Sequence, residues 1–241
     1  MRTSVPDTVM VFAAGLGTRM RPVTDTVPKP LVKIRGRAML DHMLDRFAEI
    51  GVKRAIVNVH YLADQLEQHL ASRSNPEILI SDEREKLLDQ GGGIKKVLPL
   101  LGDKPFFICN TDAIWLEGAQ SNLALLRERW DPDQMDVLLL VAASATSIGV
   151  DWPGDFFMDT EGRLRRRGEA AMAPFVYAGV GIIKPQPFAA VKEDVFRLAP
   201  FFFSAAENGR LFGQQLDGQW LHIGTPAAIE EAERAIQRSV L

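Results

Sequence analysis

One cysteine, Cys109, stands in a chain of 241 residues, so no internal disulfide can form. In an apolar stretch a lone thiol reads as a small core residue rather than a nucleophile. There is no excess of positive charge. The formal net charge is −3, which argues against a surface built for nucleic acid and leaves an anionic substrate dependent on a local basic site. Long hydrophobic runs are missing too. Val9 to Gly15 is apolar but too short to cross a bilayer, and Met1 to Thr8 holds no apolar core of a signal peptide. The default is a cytoplasmic protein with no membrane partner. Internal repeats and low-complexity linkers are absent as well. The length suits one large α/β domain spanning 1–241, and nothing in the chain requires an oligomer.

What is present is a rhythm. Val9 to Ala14 reads as a buried strand feeding a glycine-rich turn. Met39 to Ile50 carries apolar residues at helical spacing and is stopped by Gly51. Strands at 55–59, 77–81, 106–109 and 137–141 alternate with helices at 62–70, 92–101 and 122–130. This alternation predicts a Rossmann-like, doubly wound, mainly parallel sheet. Such sheets bind ligands beyond the carboxyl ends of their strands. The Gly15 loop and the Asn110-Thr111-Asp112 segment both fall at that edge. The second half is less regular: strands with long loops from 149 to 168, a strand from Tyr177 to Ile183, and a terminal helix from Pro226 to Ser239.

The chemistry concentrates in Ala13-Ala14-Gly15-Leu16-Gly17-Thr18-Arg19-Met20-Arg21-Pro22-Val23-Thr24, followed by Pro28-Lys29-Pro30-Leu31. Glycines after a buried strand let backbone N–H groups approach phosphate oxygens. Arg19 can meet phosphate as a fork, and Lys29 supplies a point charge from the far end of the loop. No Gly-Lys-Ser/Thr follows, so this is not a Walker A loop. The dinucleotide fingerprint fails as well, because its third glycine position holds Met20. Asp112, at a strand's end facing the loop, suits Mg²⁺, which prefers one or two carboxylates plus substrate phosphates. A turn or helix-cap aspartate is the competing reading.

The Gly-x-Gly-Thr-Arg-x-x-Pro-x-Thr run with Pro-Lys-Pro-Leu resembles the signature of the nucleotide-sugar pyrophosphorylases, and the resemblance covers nearly the whole chain. Within that family the chain looks closest to the short bacterial N-acetylmuramate-1-phosphate uridylyltransferases of cell-wall recycling. That match rests on Leu88-Asp89-Gln90-Gly91-Gly92-Gly93-Ile94, on Asn110-Thr111-Asp112, on Gly154-Asp155-Phe156 and on the short length. The resemblance implies a glycosyltransferase-A-like nucleotidyltransferase fold, with residues 1–142 as the nucleotide part and 143–241 as the sugar lobe. It implies Ala14, Gly15, Gly17, Thr18 and Arg19 around the triphosphate, Lys29 at the α-phosphate, and Asp89, Gly91 and Asn110 near the nucleoside. Arg19, Lys29 and Asp112 would be catalytic, Asp112 would hold Mg²⁺, and Asp155, Gly179 and His222 would face the sugar. UTP and a sugar 1-phosphate would be the substrates.

The pattern breaks once. Relatives carry a second metal-binding aspartate in Trp-x-Asp-x-Gly-Thr, where this chain reads Trp220-Leu221-His222-Ile223-Gly224-Thr225. Histidine is a poor Mg²⁺ ligand. Either Asp112, water and phosphates hold the metal, or His222 meets substrate phosphate, or catalysis is impaired. A mannose- or heptose-1-phosphate guanylyltransferase and a catalytically weak nucleotide-sugar-binding regulatory protein remain as rivals. Arg163, Arg165, Arg166 and Arg167 read as a solvated basic face, Phe201 to Phe203 as core or interface, and His42, His60 and His69 as incidental.

Overall fold

The computed structural model describes residues 5–239; Met1 to Ser4 of the N-terminal stretch lie outside the described residues. The apolar run after Asp7 forms β1 (Thr8–Phe12). Val9 and Val11 point into one core and Met10 into the other, as a strand buried on both faces requires. A long loop leads through a short hairpin, β2 (Lys33–Ile34) and β3 (Arg37–Ala38), into α1 (Met39–Glu49). Leu40, Met43, Leu44 and Phe47 recur at helical spacing and form its buried stripe. Gly51, at φ 77°, ends the helix in the left-handed conformation.

The alternation continues through β4 (Arg54–Val59), α2 (Ala63–Leu70), β5 (Glu77–Asp82), α3 (Asp89–Leu101) and β6 (Phe106–Asn110). β5, β4, β1 and β6 lie side by side and parallel. After β7 (Ala113–Glu117) and α4 (Asn122–Arg129) comes β8 (Val137–Ala143). A hairpin of β9 (Phe156–Met158) and β10 (Leu164–Arg166) precedes β11 (Phe175–Ile183). β11 runs antiparallel between β6 and β8, so strands from both halves of the chain share one nine-stranded sheet. α5 (Gln186–Ala189) and α6 (Ala199–Glu207) lead to β12 (Leu211–Gln215), parallel to β8. β13 (Gly218–His222) pairs with β7 in a separate ribbon, and α7 (Pro226–Ser239) closes the described chain.

Helices cover both faces of the sheet. α1, α2 and α4 pack on one side and α3, α5 and α6 on the other. Phe201, Phe202 and Phe203 belong to α6, with Phe202 buried and its neighbours half-buried against that core. A third cluster joins Met20 of the glycine loop to Val32, Ile34, Met39, Leu221, Ile223 and Ala232. Full burial of Met20 is worth about 1.5–3 kcal/mol and pins the loop to the body. Among the described residues no helix is long and apolar enough to cross a membrane.

Besides β2, β3, α5, α6 and β12, which the sequence reading does not contain, α3 and the β7–β13 ribbon differ from it. α3 begins at Asp89, three residues before the expected Gly92, although glycine is a weak helix former. The glycines are there for close approach. A Cβ on Gly91 would collide with Phe196, and one on Gly92 with the Asp194 carbonyl. The Gly91 and Gly92 amides donate to Phe196 O at 3.0 and 3.2 Å. The β7–β13 ribbon joins segments about a hundred residues apart, and no local periodicity announces such a pairing.

Candidate active site

The glycine loop is built from the floor upward. At the end of β4, Asn58 Oδ1 accepts from the amides of Ala13 and Ala14 at 2.7 and 3.2 Å. Asn58 Nδ2 donates to Glu83 Oε1 at 2.9 Å, and Glu83 Oε2 accepts from the Leu88 amide at 3.1 Å. Glu83 is 1% exposed, so its two oxygens tie the loop, β4 and the entry to α3 into one satisfied buried network. Beyond Ala14 the chain is open. Gly15, Leu16, Thr18 and Arg19 are exposed, and among the described residues their amides donate to no protein acceptor. Gly17 is left-handed, at φ 64° and ψ 24°, and a helical turn over Thr18–Met20 follows. A left-handed residue followed by a helical turn is a backbone pattern that can point successive N–H groups to one side, as anion-binding nests do. Thr24 Oγ1 donates to Gly17 O at 2.8 Å and fixes the bend.

The far end of the loop carries the charge. Lys29, between two prolines, opens a tight turn over Lys29–Leu31. Its Nζ lies 2.6 Å from Asp112 Oδ2, with the two side chains 15% and 20% exposed. Burial pushes the Asp112 carboxyl up, but Lys29 and then His222 outweigh it, and the net shift is downward. Asp112 is therefore ionised, and its Oδ1 is unused by Lys29. A cleft of about 420 Å³ opens over this pair, walled by Ala14, Gly15, Asp89, Gln90 and Asn110. The exposed side chains of Leu87 and Val195 also line it.

Two further hollows matter here, and one of them adjoins the first. Gln90 Nε2 donates to Asn110 Oδ1 at 2.8 Å, and both residues also line a second cleft of about 400 Å³. Asp155 lies there, with Oδ1 accepting from Trp152 Nε1 at 3.1 Å and Oδ2 from the Tyr177 amide at 2.9 Å. Burial raises its carboxyl, against the bonds from Tyr177 and Trp152 and the field of Arg167. Gly179, at φ 83° in the irregular stretch of β11, lies where a Cβ would press on Ala113 and Asn110. Arg19 and His222 share a third hollow of about 290 Å³ with Gly224 and Thr225. The His222 ring is 5.3 Å from Trp152 and 5.4 Å from Trp220. Burial leads in lowering its proton affinity, Asp112 opposes, and Lys29 and Arg19 add to the lowering.

Of the residues singled out by sequence, Ala14, Gly15, Lys29, Asp89, Asn110 and Asp112 meet in the first cleft. Gly17 and Thr18 shape the loop beside it. Gly91 is buried behind the wall, against Phe196. The sequence reading missed Asn58, Glu83 and Gln90. One signal was available for Asn58: a polar residue inside the apolar run Ala55 to Val59. Two members of the basic run are not on a purely solvated face, because Arg166 and Arg167 line the second cleft. Cys109 is fully buried, and burial pushes its thiol far up, away from nucleophilic use. His42, His60 and His69 are each engaged structurally, with Ile34 O, Glu83 O and Asp41.

Comparison with known proteins bears on this geometry. The MobA-like NTP transferase domain model matches residues 9–228. An N-acetylmuramate alpha-1-phosphate uridylyltransferase of Caulobacter vibrioides is 44% identical over 235 residues, covering 96% of this chain and 97% of that protein. The protein of that name from Neisseria meningitidis is 31% identical, covering 93% and 96%. Among solved structures, an inositol-1-phosphate CTP transferase from T. maritima shares the fold, with a TM-score of 0.75 at 18% identity and 98% of each chain covered.

Proposed function

Since the chain belongs to the family of MobA-like NTP transferase domains and is a sugar-1-phosphate nucleotidyltransferase, we propose that it joins UTP to N-acetylmuramate 1-phosphate, giving UDP-N-acetylmuramate and pyrophosphate. The observation that carries the chemistry is the Lys29–Asp112 pair in a cleft that Gly15 of the glycine loop also lines. The choice of substrates follows the Caulobacter relative, whose similarity runs along nearly the whole of both chains. In this reading residues 1–142 form the nucleotide part and 143–241 the sugar part. The reaction runs in the cytoplasm, where triphosphates are made, and serves cell-wall recycling.

A phosphate oxygen of the sugar 1-phosphate attacks the α-phosphorus, a new P–O bond forms, and the bond to the bridging β-oxygen breaks. Pyrophosphate leaves with that electron pair. Such a transfer needs position and charge stabilisation, not a protein nucleophile. The amides of Gly15, Leu16 and Thr18, with Arg19, receive the β- and γ-phosphates. Lys29 has three N–H donors and uses one on Asp112, so two remain for α-phosphate oxygens. Leu87 and Val195 flank the base.

The donor set fits Mg²⁺ brought by substrate. Asp112 offers one free carboxylate oxygen, and among the described residues no three His, Cys, Asp or Glu side chains cluster as a cage. Mg²⁺ is commonly held by one or two carboxylates with phosphates and water completing its octahedron. Bound there, it neutralises charge on the triphosphate. Histidine at position 222, close enough for its field to act on Asp112, takes the place of a second carboxylate. The free enzyme should then bind Mg²⁺ weakly and bind it well only with UTP. His222→Asp should tighten Mg²⁺ binding without abolishing activity. Metal titrations of both proteins, with and without UTP, check this; identical Mg²⁺ dependence would remove position 222 from the metal's surroundings.

Pyrophosphate release with UTP, GTP, CTP and dTTP against a panel of sugar 1-phosphates tests the substrate choice. UTP with N-acetylmuramate 1-phosphate should give the highest kcat/KM. A preference for GTP with mannose- or heptose-1-phosphate would replace this reading, and no turnover with any pair would leave only a binding protein.

A further inference from the structure

The second cleft holds an arginine that none of the roles above uses. Arg166 closes β10 and lies over the ring of Phe203, its guanidinium carbon 3.5 Å from the ring centroid. Its neighbours in the basic run are committed elsewhere. Arg163 faces Asp159 and Glu161, Arg165 covers Phe157, and Arg167 donates to the carbonyls of Gly154 and Ala170. Among the described residues, Arg166 has no carboxylate partner. Asp155, the carboxylate among the described residues that line the cleft, already accepts one bond on each oxygen, from Trp152 and Tyr177. The cleft therefore contains an arginine stacked on an aromatic face, with its donors free, beside an apolar wall of Phe156, Phe202 and Phe203.

Stacking orients a guanidinium and spares its N–H groups, which then match a carboxylate as a two-pronged fork. The cleft meets the nucleotide cleft at Gln90 and Asn110, so a molecule lying across both would put its phosphate toward Lys29 and its remainder toward Arg166. We propose that Arg166 is a specificity-determining residue that selects sugar 1-phosphates bearing a carboxylate on the sugar, by a charge-assisted bond to that carboxylate. This deepens the substrate reading given above and rests on it: N-acetylmuramate is N-acetylglucosamine with a lactyl ether, and the lactyl carboxylate is the only added charge.

The two sugars make the test. Purified wild type, Arg166→Gln and Arg166→Lys are assayed with saturating UTP and each of N-acetylmuramate 1-phosphate and N-acetylglucosamine 1-phosphate. The kcat/KM ratio of the acidic to the neutral sugar should fall about tenfold to a hundredfold in Arg166→Gln, the range for losing a charged hydrogen bond. The loss should lie mainly in KM. Arg166→Lys keeps the charge without the fork and should fall between wild type and Arg166→Gln. A ratio that stays at the wild-type value overturns the proposal, whether both sugars lose equally (Arg166 then serves the common phosphate or the fold) or neither loses. The two readings fail differently. A wild type that turns over only neutral sugar phosphates sinks the substrate reading and this inference together. One that favours the acidic sugar, with the ratio unchanged in Arg166→Gln, sinks this inference alone.

Discussion

Lys29→Ala should lower kcat by a hundredfold or more, on the order expected when one preorganised charge-stabilising donor is lost. In the proposed reaction the position of Lys29 is fixed in advance. Two prolines flank it, a tight turn presents it, and Asp112 fixes its Nζ at 2.6 Å in a side chain only 15% exposed. Truncation also strips Asp112 of its counterion. An exposed ion pair is worth about 0–1 kcal/mol and breaking a buried one costs about 3–5, so this mostly buried pair should cost the free enzyme about 1–3 kcal/mol. The fold survives that loss, and the melting temperature should drop by several degrees. Steady-state kinetics beside thermal unfolding separate the two effects. Near-normal turnover in a folded variant would take Lys29 out of the site.

Asp112→Asn is expected to be as damaging for a different reason. The amide keeps the shape and can still accept from Lys29, but it no longer offers the metal a charge. Activity at a fixed Mg²⁺ concentration should fall at least about a hundredfold, and half-saturation by Mg²⁺ should move to higher concentration. Unchanged turnover with an unchanged Mg²⁺ requirement would exclude Asp112 as a metal ligand. A double-variant cycle adds an internal control. Once Lys29 is gone, removing the charge at Asp112 should restore part of the lost stability, because no unpaired carboxylate remains half-buried. It should restore none of the activity. If stability losses simply add, the two side chains do not support one another in the folded protein.

The parts of this protein readable in advance were those whose physical cause is local. The strand before the glycine loop shows in a run of apolar residues that must be buried on both sides. The helix of Met39–Glu49 shows in its apolar spacing and its glycine stop, and the helix of Pro226–Ser239 in its proline start. The glycine loop was legible as a loop because glycines after a buried strand mark a turn at close chain spacing. Asn58 was not singled out, because its partners, Ala13, Ala14 and Glu83, come from other elements of the chain.

The sequence by itself therefore determined the alternation of strands and helices, the covalent order of the loop, and which charges stand near it along the chain. Only the tertiary structure decided which of those charges meet each other. Lys29 and Asp112 are 83 residues apart and form one pair because two neighbouring parallel strands end at the same sheet edge. Gly91 lies behind the cleft because Phe196 packs against it, a contact no helix periodicity contains. Arg166, one of four arginines within five residues, faces the second cleft because β10 ends beside α6 and Phe203 offers it a ring. Composition sets what a residue can do. Long-range packing, which brings distant segments within a few ångströms, selects the few that can do it together.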